Sequence, residues 1–156
     1  MEKIIITRAG LEEMNSLMEW RMEVLHHVFS LPDDLDTTLL EAENRRYYQQ
    51  QIPRGGHIAC FARIGKVTVG CGGVCIYEEM PSPDNANGKC AYLMNIYCRE
   101  PYRHRGVGHA IVRWLVGQVQ DQEIRKIYLE TSDSGRPLYQ SLGFKDMKDM
   151  MHIEES

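Results

Sequence analysis

The chain has 156 residues, 43% of them hydrophobic and 26% charged, with a net charge of −4 near neutral pH. That length suits a single domain with a real core, here expected over residues 1–156, and the composition is ordinary for a globular protein. The acidic balance weighs against a dedicated nucleic-acid binder, and no apolar run approaches the roughly 20 residues needed to span a bilayer.

Residues 3–7 read as a strand that is too short and too quickly polar for a signal peptide. Residues 10–30 read as an amphipathic helix with Leu11, Met14, Leu17, Met18, Val24, Leu25 and Val28 on one arc, stopped by Pro32. A more polar helix over residues 35–51 follows, carrying Leu39, Leu40, Tyr47 and Tyr48. Pro53, Gly55 and Gly56 mark a loop, and residues 57–64 and 66–77 form a hairpin turning at Gly65 and Lys66. Residues 81–88 are a long polar turn. Residues 92–98 form an apolar strand, 106–122 a helix, 126–131 a strand, 134–142 a short helix closed by Gly143, and 144–153 a last strand. The order β-α-α-β-β-β-α-β-α-β makes a mixed α+β sheet, and the crossover between residues 92 and 131 is expected to be right-handed and parallel.

Five cysteines, Cys60, Cys71, Cys75, Cys90 and Cys98, show no CxxC spacing. They read as reduced thiols packed as small hydrophobes, which points to a reducing cytoplasm. Neither the histidines nor the carboxylates have metal-ligand spacing, so no metal is expected. Trp20 and Trp114 read as packing residues.

Positive charge concentrates at Arg99, Arg103, His104, Arg105, His109 and Arg113. A basic patch on an acidic chain suits a small anionic ligand. The apolar strand ends in a polar turn, then Arg103-His104-Arg105-Gly106-Val107-Gly108-His109, and a helix begins. First-turn N–H groups have no partner inside their helix, the helix dipole adds partial positive charge, and glycines let a phosphate come close. A Walker A loop is missing, and Gly106 and Gly108 lack the third glycine of a dinucleotide fingerprint. In a mixed sheet, ligands sit beyond the carboxyl ends of parallel strands, which points to residues 98–109 and 131–139.

Residues 95–110 resemble the acyl-CoA-binding motif of the GNAT superfamily of N-acetyltransferases, Arg/Gln-x-x-Gly-x-Gly/Ala after the fourth strand. Residues 129–144, ending in Leu138-Tyr139-Gln140-Ser141-Leu142-Gly143-Phe144, resemble that family's second block. The resemblance implies a central mixed sheet of six to seven strands with helices on both faces. It also implies acetyl-CoA as co-substrate and direct acetyl transfer to an amine in a ternary complex. Backbone groups of Ile96, Tyr97 and Cys98 would meet the pantetheine arm and polarise the thioester carbonyl. The amides of Arg103, His104, Arg105, Gly106, Val107, Gly108 and His109 would hold the diphosphate. Ser132 stands where the family often has Asn, as a cofactor contact or a helix cap.

Tyr139 matches the family's general acid, a phenol that keeps its proton at pH 7 and can give it to the leaving thiolate. Glu78, Glu79, Tyr92, Asn95 and Glu130 are the candidates for relieving the amine of its proton. Arg21 falls within the apolar arc of the first helix, where a charge must find a partner. It reads as a ligand for an acceptor carboxylate or as a structural pair, and Arg21 and Glu78 are the expected acceptor-binding residues. The acceptor is expected to be a small-molecule amine or a protein amine, with no nucleic acid and no membrane. A non-catalytic CoA-binding module is the alternative, and a homodimer would follow family habit.

Overall fold

The computed structural model describes residues 2–155. Its strands are β1 (Ile4–Ala9), β2 (His57–Ile64), β3 (Val67–Glu78), β4 (Lys89–Cys98) and β5 (Lys126–Leu129). Its helices are α1 (Met14–Val28), α2 (Thr38–Gln51), α3 (Val107–Gln120) and α4 (Arg136–Ser141). One sheet runs in the order β1-β2-β3-β4-β5, antiparallel except for the parallel pair β4 and β5.

Alternation along the strands divides the core in two. Ile58, Cys60, Val69, Val74 and Leu93 pack against Val107, Ile111, Leu115 and Val119 of α3. On the other face Ala59, Phe61 and Cys71 meet Leu17, Trp20 and Val24 of α1 and Tyr48 of α2. The α3 side chains sit on one stripe of the helix at i, i+4, i+8 and i+12, so the stripe buries completely while Arg113 and Gln120 stay exposed. Gly72 has a packing reason of its own: a Cβ there would collide with Ile111.

The hairpin, both long N-terminal helices and the parallel pairing of β4 and β5 match the expectations from sequence. The strand number does not. Among the described residues five strands form rather than six to seven, and the strand expected over residues 144–153 is absent. The reason is local. An extended run there would mix apolar and charged side chains on each face, Met147, Met151 and Ile153 with Asp149 on one and Phe144 and Met150 with Asp146 and Lys148 on the other. Asp149 sits in the left-handed region (φ 69°), and Asp146 is held by Arg136.

A polar cluster lies under α2. His57 is 4% exposed, and its Nδ1 shares a hydrogen bond with the Tyr47 hydroxyl at 2.8 Å. The Cys75 sulfur lies 3.0 Å from the same hydroxyl. Burial pushes the His57 pKa down to about 4, and the charge of Arg21 adds to the effect. An unfolded imidazole near pH 6.5 takes up a proton in a window where the folded one does not. The stabilisation is therefore complete above pH 6.5 and lost as pH falls toward 4, by about 2 kcal/mol at pH 5. Urea unfolding at pH 7 and pH 5 should show that loss. His57→Gln should flatten the pH dependence.

Candidate functional site

The β4–β5 pairing stops at Leu93↔Leu129, and β4 runs on to Cys98 without β5 beside it. The two strands therefore part at a fork. On the other side of β4 the register to β3 jumps, from Met94 opposite Gly73 to Tyr97 opposite Cys71. This β-bulge centres on Asn95, whose φ of 63° is left-handed, a state asparagine tolerates better than most residues. The bulge puts two successive side chains on the α1/α2 face. Met94 Sδ lies 3.4 Å from Cys75 Sγ, and Asn95 Oδ1 accepts from Arg21 at 2.9 Å. Ile96 turns to the α3 side and Tyr97 packs on Trp20.

Past the fork, a 3-10 turn (Glu100–Tyr102) leads to His104 (φ 64°) and to Gly106 (φ 85°), which caps α3 in the left-handed region. The first hydrogen bond of α3 runs from the Ala110 N–H to the Gly106 carbonyl at 3.0 Å. The N–H groups of Val107, Gly108 and His109 thus stand outside the helix ladder. The basic side chains around them are largely committed. Arg99 makes two hydrogen bonds to the Glu23 carboxylate, at 2.8 and 3.0 Å, and lies 4.1 Å above the Trp20 ring. This contact holds the Glu23 pKa below the usual carboxylate range. Arg103 donates to the Cys98 carbonyl at 2.9 Å, and Arg105 reaches Glu2 at 3.2 Å. The arginines frame the turn, and the main-chain amides are what it offers an anion.

Tyr139 is half-buried in the α3-side core, edge-on to Phe144 at 5.9 Å, with its pKa raised by burial. It lines a cleft of about 940 Å³ that wraps the free edge of β5 between α4 and residues 144–150. Glu130 and Thr131 line the same cleft. Gly108 abuts Leu138, so the first turn of α3 touches α4. Ser132 is exposed, and its hydroxyl accepts from the Gly135 N–H at 3.4 Å in the turn that precedes α4.

The sequence profile described as the Acetyltransferase (GNAT) family matches residues 15–144, which spans both the fork and the turn. The chain belongs to the GNAT acetyltransferase family. No curated protein matches this GNAT chain in sequence. Solved structures share its fold. A predicted acetyltransferase from Clostridium acetobutylicum, crystallised with acetyl-CoA, is 20% identical, with 97% of this chain and 96% of that one covered and a TM-score of 0.85. A GCN5-related N-acetyltransferase from Ralstonia eutropha is 18% identical, with coverage of 97% and 99% and a TM-score of 0.80. Glucosamine-6-phosphate N-acetyltransferase from Arabidopsis thaliana is 16% identical, with coverage of 99% and 100% and a TM-score of 0.73.

The structure sorts the remaining residues read from the sequence. Arg21 has two partners, Asn44 Oδ1 and Asn95 Oδ1, each at 2.9 Å, and so links α1, α2 and the bulge. Glu78 pairs in register with Lys89, four residues before the fork, about 13 Å away along the strand. Glu79 is bound to Lys126 at 2.7 Å. Tyr92 and Glu130 come together: the Tyr92 hydroxyl donates to Glu130 Oε1 at 2.9 Å, and burial together with this bond pushes its pKa up to about 12. Sequence reasoning missed Tyr77 and Tyr128 beside them. The parallel register of β4 and β5, the one fact that unites them, has no signature in residue types. Among the described residues no group of three or more His, Cys, Asp and Glu side chains is placed to hold a metal.

Proposed function

We propose that this protein transfers the acetyl group of acetyl-CoA to a primary amine of a small molecule or a protein, by direct attack in a ternary complex. The observation that carries this reading is the junction of two features: unpaired first-turn amides of α3 behind the left-handed Gly106, and an open fork one strand-length away. Open space surrounds Gly106, where a Cβ would meet nothing within 4 Å, so a diphosphate can approach the amides of residues 103–109 closely. The fork then receives an extended arm along Ile96, Tyr97 and Cys98, and strand amides there face the thioester carbonyl as an oxyanion hole.

The chemistry assigned to side chains is simple. A neutral amine attacks the thioester carbon, a C–N bond forms and the C–S bond breaks. Tyr139 gives its proton to the leaving sulfur, and the surplus proton on nitrogen returns to the phenolate through water. Ser132 keeps the turn before α4 in place and presents its hydroxyl toward the cofactor. Arg21 holds Asn95, and through it the bulge that borders the acceptor. Among proteins of similar fold are an amino-sugar phosphate acetyltransferase and an aminoglycoside acetyltransferase, which supports a small-molecule acceptor.

The test is release of free thiol from acetyl-CoA with a panel of amines. Amine-dependent release, with N-acetylated product by mass spectrometry, is the expected result. Tight CoA binding with no release for any amine would point instead to a non-catalytic CoA-binding module.

A further inference from the structure

The α1/α2 face of the sheet carries an aromatic wall beside the fork. Ile127 and Leu129 point into the α3-side core, so Tyr128 and Glu130 point the other way. Tyr92 sits opposite Tyr128 in register, with ring centroids 4.9 Å apart and planes tilted by 42°. Tyr77 reaches across from β3, its hydroxyl bonded to that of Tyr128. Tyr47 of α2 reaches Cys75 on β3, the register partner of Tyr92 and two residues before Tyr77. The wall is part-exposed, Tyr77 by 40%. Tyr139 packs on the α3 side of the sheet, which leaves this opposite face for an acceptor to approach by.

The chain itself shows what such a face binds. The Lys126 ammonium lies 5.8 Å from the Tyr128 ring centroid and is bonded to the Glu79 carboxylate at 2.7 Å. An ammonium over a tyrosine, anchored by a carboxylate, is a favourable unit. Glu130 repeats the carboxylate at the mouth of the fork, beside Tyr92. It has no basic partner in the ion pairs formed among the described residues. Glu79 is already neutralised, whereas Glu130 is not. The other charged groups lining its cleft are Arg136, paired with Asp146, and Lys145 and Lys148. Those two lysines oppose an acceptor with further positive charge.

Resting on the acetyl-transfer reading above, we infer that the acceptor is a monoamine on a flat, apolar or aromatic body. Its ring packs on Tyr77, Tyr92 and Tyr128, and its ammonium meets the Glu130 carboxylate. Specificity then comes from two parts. The rings select a flat body by area and stacking. The carboxylate places the nitrogen at the fork, one residue past the last β4–β5 pair, and the amine reacts from there once it has lost a proton to water.

The test is steady-state acetylation of phenethylamine, butylamine, glucosamine and spermidine with the full chain and acetyl-CoA. Phenethylamine is expected to show a KM at least about tenfold below those of the other three. Glu130→Gln and Tyr128→Leu are each expected to raise the phenethylamine KM about tenfold, with the acetyl-CoA KM and the melting temperature unchanged. Preference for glucosamine or spermidine, or an unaltered phenethylamine KM in both well-folded variants, overturns the inference while leaving acetyl transfer intact. Failure to turn over acetyl-CoA with any amine overturns both.

Discussion

Tyr139→Phe is expected to lower kcat for amine acetylation by about 10²- to 10³-fold, with the acetyl-CoA KM unchanged. The substitution removes one oxygen and keeps the ring that packs edge-on against Phe144, so the fold has little to lose. The leaving sulfur has much to lose. Without a donor it departs as a bare thiolate in a half-buried site, where a charge is costlier than in water. Burial raises the Tyr139 pKa, which keeps its proton in place across the physiological range. The effect should appear in kcat rather than KM, because the proton moves only as the C–S bond breaks. A variant with wild-type kcat and melting temperature would remove Tyr139 from the chemistry.

The second large effect concerns Gly106. Gly106→Val is expected to raise the dissociation constant of CoA at least about tenfold by calorimetry. The backbone there has φ 85°, a conformation that a β-branched residue adopts only as an outlier, at a cost of about 1–2 kcal/mol. The strain is relieved by turning the peptide, and that turning spoils the alignment of the Val107, Gly108 and His109 amides. Gly106→Asn, which tolerates left-handed backbone, should lose much less affinity. If both variants bind CoA like the wild type, the turn is not the anion site.

Periodicity makes most of the fold legible. The stripe of Val107, Ile111, Leu115 and Val119 marks α3 whatever it packs on, and Gly65 between two apolar runs marks the hairpin. The left-handed turn at Gly106 before α3 is legible for the same local reason, since a glycine there marks a backbone conformation that other residues adopt at a cost. Non-local facts are not. The bulge at Asn95 depends on a left-handed residue held by Arg21 from another element, and an asparagine in a strand carries no sign of it. Arg21 is visible as a charge needing a partner, but its partners, Asn44 and Asn95, lie 23 and 74 residues away. Tyr92 and Glu130 are separate candidates in the sequence, and only the register of β4 and β5 joins them. Residues 144–153 have the apolar content of a strand, but each face of such a strand would also carry charge, Asp149 on one and Asp146 and Lys148 on the other.

The most direct check on the whole account is a titration of the isotopically labelled protein with CoA, followed by the backbone amide resonances. The largest shifts are expected at Gly106, Val107, Gly108 and His109, with smaller ones at Ile96, Tyr97 and Cys98 along the fork. Shifts confined to residues 144–150 and the free edge of β5, with the first turn of α3 silent, would contradict it.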